Sequence, residues 1–234
     1  MSDGIRLNKY LADAALCSRR QADKLIEAGE IKVDGTVADL GTRVYEGSVV
    51  MYKGKIVKAK DNLLIYAYNK PIGLVCTSKE ADKDSIFGKV EFPERVNYVG
   101  RLDKDSSGLL LLTNDGELAN AIQKARNNHE KEYLVRVNKD IDDAFIEKMS
   151  KGVPILDTVT KKCKVEKTGT RTFRIILTQG LNRQIRRMCD YCGYRVVNLK
   201  RVRVMNVKLG DLRPGAYRAL TASEEAKLRN MISD

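Results

Sequence analysis

Residues 100–116 read GRLDKDSSGLLLLTNDG. Leu109 to Leu112 form an unbroken apolar run between Gly108 and Thr113, too short for a typical helix and without the polar alternation of a half-exposed strand. Such a run fits a strand buried on both faces. Asn114-Asp115-Gly116 supplies turn chemistry at its end, and ELANAIQKA beyond it reads as a helix. On the other side, Asp103 lies in a Lys-Asp-Ser-Ser-Gly turn directly before the buried strand. An Asp there ordinarily accepts backbone N–H bonds and sets the chain reversal.

The pattern continues outward from this strand. LLIYAYNKP is a strand ending at Pro71, EYLVRV alternates with Tyr133, Val135 and Val137 on one face, and IDDAFIEKM is an amphipathic helix. FRIILTQG, the helical NRQIRRMCDYCG and the strand-like RVVNLKRVRVMNVKL follow. Strands in mixed order with helices between them predict an α+β domain. The first sixty residues read differently. RLNKYLADAAL places Leu7, Tyr10, Leu11 and Ala14 on one helical face. Ser18 and Gln21 form a capping box for a second helix, QADKLIEAG, that Gly29 ends, and IKVDGTVA turns at Asp34-Gly35 as a hairpin. KGKIVKAKDN, residues 53–62, is a polar connector, so the expected domains are 1–60 and 61–234.

The charge is unevenly placed. Residues 161–218 hold sixteen Lys or Arg against Glu166, Asp190 and Asp211, a net of +13, so the rest of the chain of net charge +12 sums to −1. Interleaved with strand-like apolar runs, this excess suits a polyphosphate partner such as nucleic acid better than a membrane surface, because no basic amphipathic helix with an aromatic face accompanies it. In the N-terminal segment Lys9, Arg19, Arg20 and Lys24 can converge on one surface, and a solvated helix face gives the same spacing. No apolar run approaches a membrane span and MSDGIRLNKY lacks a secretory apolar region, which predicts a cytoplasmic protein. Five irregularly spaced cysteines agree with reduced thiols.

These residues also carry a resemblance. GRLDKDSSGLLLLTNDGEL, NKPIGLVCTS at 69–78, HEKEYLVRV at 129–137 and QGLNRQIRRM at 179–188 resemble, in order and approximate spacing, the pseudouridine synthases, in the branch grouped with the small-subunit enzyme RsuA. The first sixty residues resemble the S4 RNA-binding domain. NNHEKEYLV, GVPILDTVTKKCKV and QGLNRQIRRMC are similar to a subgroup acting on large-subunit rRNA. Many relatives carry His where this sequence has Arg183, and the subgroup also reads N-R-Q-I-R.

The resemblance implies a small αα-hairpin S4-like domain followed by a mixed, mainly antiparallel sheet with flanking helices. It implies an isomerase that needs no cofactor and no metal. Asp103 is the implied catalytic residue, attacking the sugar or the base or deprotonating the sugar, and the sequence does not choose among these routes. Arg186, the last residue of the Q-I-R triplet, is the implied cation beside it, and Tyr133 the tyrosine that stacks on uracil and moves a proton from C5. Arg101, Arg183 and Arg187 are candidates to hold phosphate. The target base must be flipped from structured RNA, so the implied partner is a hairpin or bulge of 23S rRNA, with tRNA a second candidate, met by a monomer.

Competing chemistries lack their residues. Cys189-x-x-Cys192 has no second pair and His129 is the only histidine, against structural zinc. His129-x-Lys131 lacks the Glu of a nucleobase deaminase, and neither a P-loop nor a G-x-G-x-x-G is present. Asp103 and Asp105, two residues apart, read as catalyst and turn former rather than a glycosidase pair. A non-catalytic RNA-binding assembly factor and an RNA N-glycosidase remain the alternatives.

Overall fold

The computed structural model describes residues 3–14, 16–58, 63–77, 82–124 and 128–233. Residues 59–62 of the expected connector, and Ala15, Ser78, Ala125 and Asn127 of the motifs, lie outside them. The chain divides into two compact units, Met1–Leu64 with Asn114–Gly116, and Ile65–Thr113 with Glu117–Asp234.

The first unit contains β1 (Ile5–Arg6), α1 (Leu7–Asp13), α2 (Arg19–Glu27), β2 (Ile31–Val33), β3 (Thr36–Val37), β4 (Arg43–Val44), β5 (Val50–Tyr52) and β6 (Lys55–Val57). The capping box forms: Gln21 N–H donates to Ser18 Oγ at 3.3 Å, and Ser18 N–H to Gln21 Oε1 at 3.0 Å. Gly29 leaves the helix at φ +71°, a conformation that favours glycine. Leu7, Leu11, Ala22, Ile26, Ile31 and Val50 make the core under the helix pair. The Asp34-Gly35 hairpin is present, joined in a sheet of order β3-β2-β5-β6. KIV within the expected connector is therefore strand β6, not a linker. Its alternation is hidden because Ile56, on this edge strand, is 59% exposed and only Val57 packs on the core.

The second unit contains β7 (Ile65–Lys70), α3 (Ile86–Lys89), β8 (Asn97–Val99), β9 (Ser107–Thr113), α4 (Gly116–Gln123), β10 (Lys131–Val137), α5 (Asp143–Lys151), β11 (Pro154–Ile155), β12 (Thr158–Val159), β13 (Lys164–Gly169), β14 (Thr172–Leu177), α6 (Gln184–Tyr191), β15 (Val196–Val204), β16 (Val207–Lys208), β17 (Tyr217–Ala219) and α7 (Ala222–Ser233). Its main sheet runs β13-β14-β10-β15-β9-β7-β17, with β16 on β15 and β8 on β9. All pairs are antiparallel except β15 with β9. The α+β expectation holds. Leu109 to Leu112 are fully buried, as the apolar run requires, each worth roughly 1.5–3 kcal/mol over an exposed position.

Two cores flank the middle of this sheet. One gathers Val135, Phe145, Phe173, Ile175, Met188 and Leu199 around β10, β14, α5 and α6. The other gathers Ala67, Leu109, Leu111, Ile122, Val207 and Leu228 around β7, β9, α4 and α7. The halves meet at the short parallel contact of Ser107 with Lys200 and Gly108 with Arg201. Gly108 is required there: at φ +104°, a Cβ would lie 2.2 Å from the Arg201 carbonyl oxygen and 2.7 Å from its nitrogen. This junction lies directly after the Asp103 turn.

Candidate active site

The turn from Asp103 to Ser106 is fixed through its own peptide groups. Ser106 N–H donates to the Asp103 carbonyl at 3.1 Å, and Gly73 N–H to the Lys104 carbonyl at 2.8 Å. Lys70, fully buried at the end of β7, donates to the Ser106 carbonyl at 2.8 Å and the Pro71 carbonyl at 2.9 Å. Arg186 Nη2 completes the set, donating to the Asp105 carbonyl at 2.9 Å and Ser106 Oγ at 3.2 Å. With its backbone held on all sides, the turn leaves the Asp103 side chain 38% exposed.

The facing wall is the start of α6. Leu181 N–H donates to Gln184 Oε1 at 3.1 Å and Gln184 N–H returns to the Leu181 carbonyl at 3.2 Å, closing the chain before the helix. Arg183 is held between them at φ +49°, ψ +35°, a left-handed conformation costing a non-glycine residue roughly 1–2 kcal/mol. That backbone directs its guanidinium to the carboxylates: Nη1 lies 3.6 Å from Asp103 Oδ2 and Nη2 3.1 Å from Asp105 Oδ2. Arg186, expected beside Asp103, instead pairs with Asp105 Oδ1 at 3.3 Å and clamps the turn, while its buried Nε has no partner among the described residues. Burial pushes the Asp105 carboxyl up, but the Arg183 hydrogen bond and the Arg186 and Arg183 charges outweigh it and hold it below the usual range.

The floor comes from β10 and β15. Glu132 pairs with Arg203 but Tyr133 pairs with Arg201, so Val202 is an extra residue in β15. Residues two apart normally share a strand face; this bulge sends Arg203 and Arg201 to opposite faces. Arg203 binds Glu132 at 2.8 Å and Glu130 at 2.9 Å on one side. On the other, Arg201 joins Tyr133 and Lys131 along a pocket of about 280 Å³ that Asp103, Arg183 and Arg186 also line. Tyr133 is half-buried against the adjoining core, and its hydroxyl has no partner among the described residues. Sequence reading did not single out Lys131 or Arg201. Lys131 lies inside a quoted motif, but the bulge that selects Arg201 from the three basic residues of β15 has no local signature.

The other expected residues are more dispersed. Arg101 lines the pocket and is exposed. Arg187 donates to the Asn182 carbonyl at 3.1 Å and Asn182 Oδ1 at 3.2 Å, turned from the carboxylates. In the N-terminal unit Arg20 and Lys24 are exposed on α2, Lys9 is half-buried on α1, and Arg19 Nη2 donates to Asn8 Oδ1 at 3.3 Å, tying the two helices. Cys189 is buried on the inner face of α6, and its burial pushes the thiol up, away from reactivity. Among the described residues no cluster of three His, Cys, Asp or Glu is placed to hold a metal, and no helix is long and apolar enough to cross a membrane.

A carboxylate on a rigid turn, a tyrosine and several arginines thus line one small pocket. Residues 64–191 match the family model for RNA pseudouridylate synthase and residues 5–50 that for the S4 domain. The chain belongs to the RNA pseudouridylate synthases, isomerases of uridine in RNA, and carries an S4 domain at its N-terminal end. It is 50% identical over 229 residues to the dual-specificity RNA pseudouridine synthase RluF of Salmonella typhi, covering 97% of this chain and 79% of that protein. The Escherichia coli K12 RluF is 49% identical over 232 residues, covering 98% and 80%. An uncharacterised RNA pseudouridine synthase of Aquifex aeolicus is 38% identical, with 97% and 98% covered. A crystal structure of a pseudouridylate synthase superposes with a TM-score of 0.71 at 28% identity, over 96% of this chain and 99% of that one.

Proposed function

We propose that the pocket takes a uridine flipped out of structured RNA and that Asp103 is the group that initiates its isomerisation. The observation that carries this is the position of Asp103: on an immobilised turn, 3.6 Å from Arg183, lining the same pocket as Tyr133. Arg183 offsets the carboxylate charge directly. Arg186 positions it by fixing the turn, and Tyr133 offers a ring face for the base and a hydroxyl for the proton leaving C5. Arg101 and Arg187 hold backbone phosphates at the rim, and Lys9, Arg19, Arg20 and Lys24 grip RNA from the S4 domain. The substrate is a uridine in a hairpin or bulge of large-subunit rRNA. Because the relatives at about 50% identity are described as dual-specificity enzymes, a second RNA is also accepted, with tRNA the candidate. The enzyme works as a cytoplasmic monomer without a cofactor.

Asp103→Asn tests the assignment, since the amide keeps the shape but neither the charge nor the basicity. Single-turnover pseudouridine formation on large-subunit rRNA or tRNA transcripts falls by about 10³-fold or more while RNA binding persists. Turnover within tenfold of wild type removes Asp103 from the chemistry, and release of free uracil by the wild type would instead identify a glycosidase.

A further inference from the structure

Arg201 is 3% exposed. Its Nε donates to the Leu109 carbonyl at 2.6 Å, yet its Nη2 is buried with no partner among the described residues. Lys131 lines the same pocket and makes one long bond, 3.4 Å, to the His129 carbonyl. No described carboxylate hydrogen-bonds to either, and Asp103 and Asp105 are already engaged by Arg183 and Arg186. Two cations therefore line the pocket with no described carboxylate bonded to either, an arrangement that free energy disfavours unless a negative group arrives.

We infer that Arg201 and Lys131 form a cationic floor that takes up the negative charge of the uracil ring when it is detached from ribose. This rests on the reading that the Asp103 pocket receives the flipped uridine. Phosphates remain outside, where Arg101 is exposed at the pocket; only the base reaches a guanidinium buried on the strand position paired with Tyr133. The C1′–N1 bond breaks with both electrons passing to the base, which spreads the charge over N1, O2 and O4. C5 then bonds to C1′ and the proton on C5 moves to N1, so nothing is added or lost. Fixed donors beside developing charge in a water-poor site stabilise it more than water does. Charge from two sides also suits a ring that must turn before it reattaches, because it does not tie the ring to one orientation. Burial, and then the Arg201 charge, depress the Lys131 ammonium, as expected for cations held together without an acid.

The test compares Lys131→Met, Arg201→Gln and Arg201→Lys in the full chain, at saturating RNA, on whichever of the large-subunit rRNA and tRNA transcripts the wild type modifies. Each transcript is made with uridine or with 5-fluorouridine, whose fluorine stabilises the detached base anion. Single-turnover formation of the C1′–C5 linked nucleoside is read by digestion and mass spectrometry. On uridine, Lys131→Met and Arg201→Gln each lose about 10²-fold. On 5-fluorouridine the loss shrinks at least tenfold, and Arg201→Lys retains most of the rate. Equal losses on both substrates, or an unchanged rate on uridine, overturn the inference. If Arg201→Gln does not fold, Lys131→Met alone decides by the same criterion. Asp103→Asn separates the two readings: activity retained there removes the pocket assignment itself, whereas a dead Asp103→Asn beside a fully active Lys131→Met removes only the floor.

Discussion

Arg20 and Lys24 stand in water on α2 of the first unit, whereas Lys70 and Arg201 are 0% and 3% exposed in the second. The exposed pair is screened by solvent and salt, and in the proposed function it meets phosphates whose exact positions matter little. The buried pair has no water to compensate it, so every donor must be matched by backbone or by a ligand: Lys70 by the Ser106 and Pro71 carbonyls, Arg201 by Leu109 and one open position. The same residue types therefore serve affinity where they are solvated and geometry where they are buried. Substitutions should be tolerated in the first place and severe in the second.

Gly108→Ala gives the largest expected effect. It drives a Cβ into the Arg201 backbone at φ +104°, parting the strands that hold the buried cations. Chemical denaturation should show a loss of about 4 kcal/mol or more, or no folded protein. Tyr133→Phe keeps the ring and removes the hydroxyl, so single-turnover product formation should fall about 10²-fold with binding intact. An unchanged rate would make Tyr133 a packing or stacking residue only.

Replacing Arg19, Arg20 and Lys24 together by Gln probes the solvated side. Affinity should weaken on the order of tenfold and the slope of log affinity against log salt should flatten by about 0.7–0.9 per lost phosphate contact, with the saturated rate unchanged. A collapse of that rate would break the comparison by giving the S4 domain a part in base flipping.

The smallest effect concerns Glu224 at the start of α7. Arg218 donates to it at 2.7 and 2.8 Å, burial opposes, and Thr221 N–H adds a bond at 3.0 Å, so its carboxyl falls from an ordinary 4.5 to about 2. A depressed folded value means stability that is fully present above the ordinary value and is lost as pH falls from 4.5 toward 2. Glu224→Gln should cost below about 1 kcal/mol at neutral pH and flatten the acid limb of a melting-temperature profile over that window.

Much of this was legible along the chain. The Leu109–Leu112 strand, the Ser18–Gln21 capping box, the Asp34-Gly35 turn and α6 each depend on residues a few positions apart, so period and turn chemistry report them directly. β6, β8 and β13 leave little trace in the sequence because they are short or lie at sheet edges, where few side chains face a core and alternation fades. The motif puts Arg186 beside Asp103, whereas the folded chain gives that contact to Arg183, whose left-handed backbone nothing local signals.

The sequence by itself determined the α+β class, the two-part organisation, the concentration of positive charge and the family, because each is written in local pattern or in ordered motifs. The tertiary structure alone decided which arginine faces which carboxylate, that Lys131 and Arg201 share the pocket of Asp103, and that Gly108 must be glycine. Those facts depend on strands from distant parts of the chain meeting in one register, and a single extra residue at Val202 reverses the face to which every following side chain of β15 points.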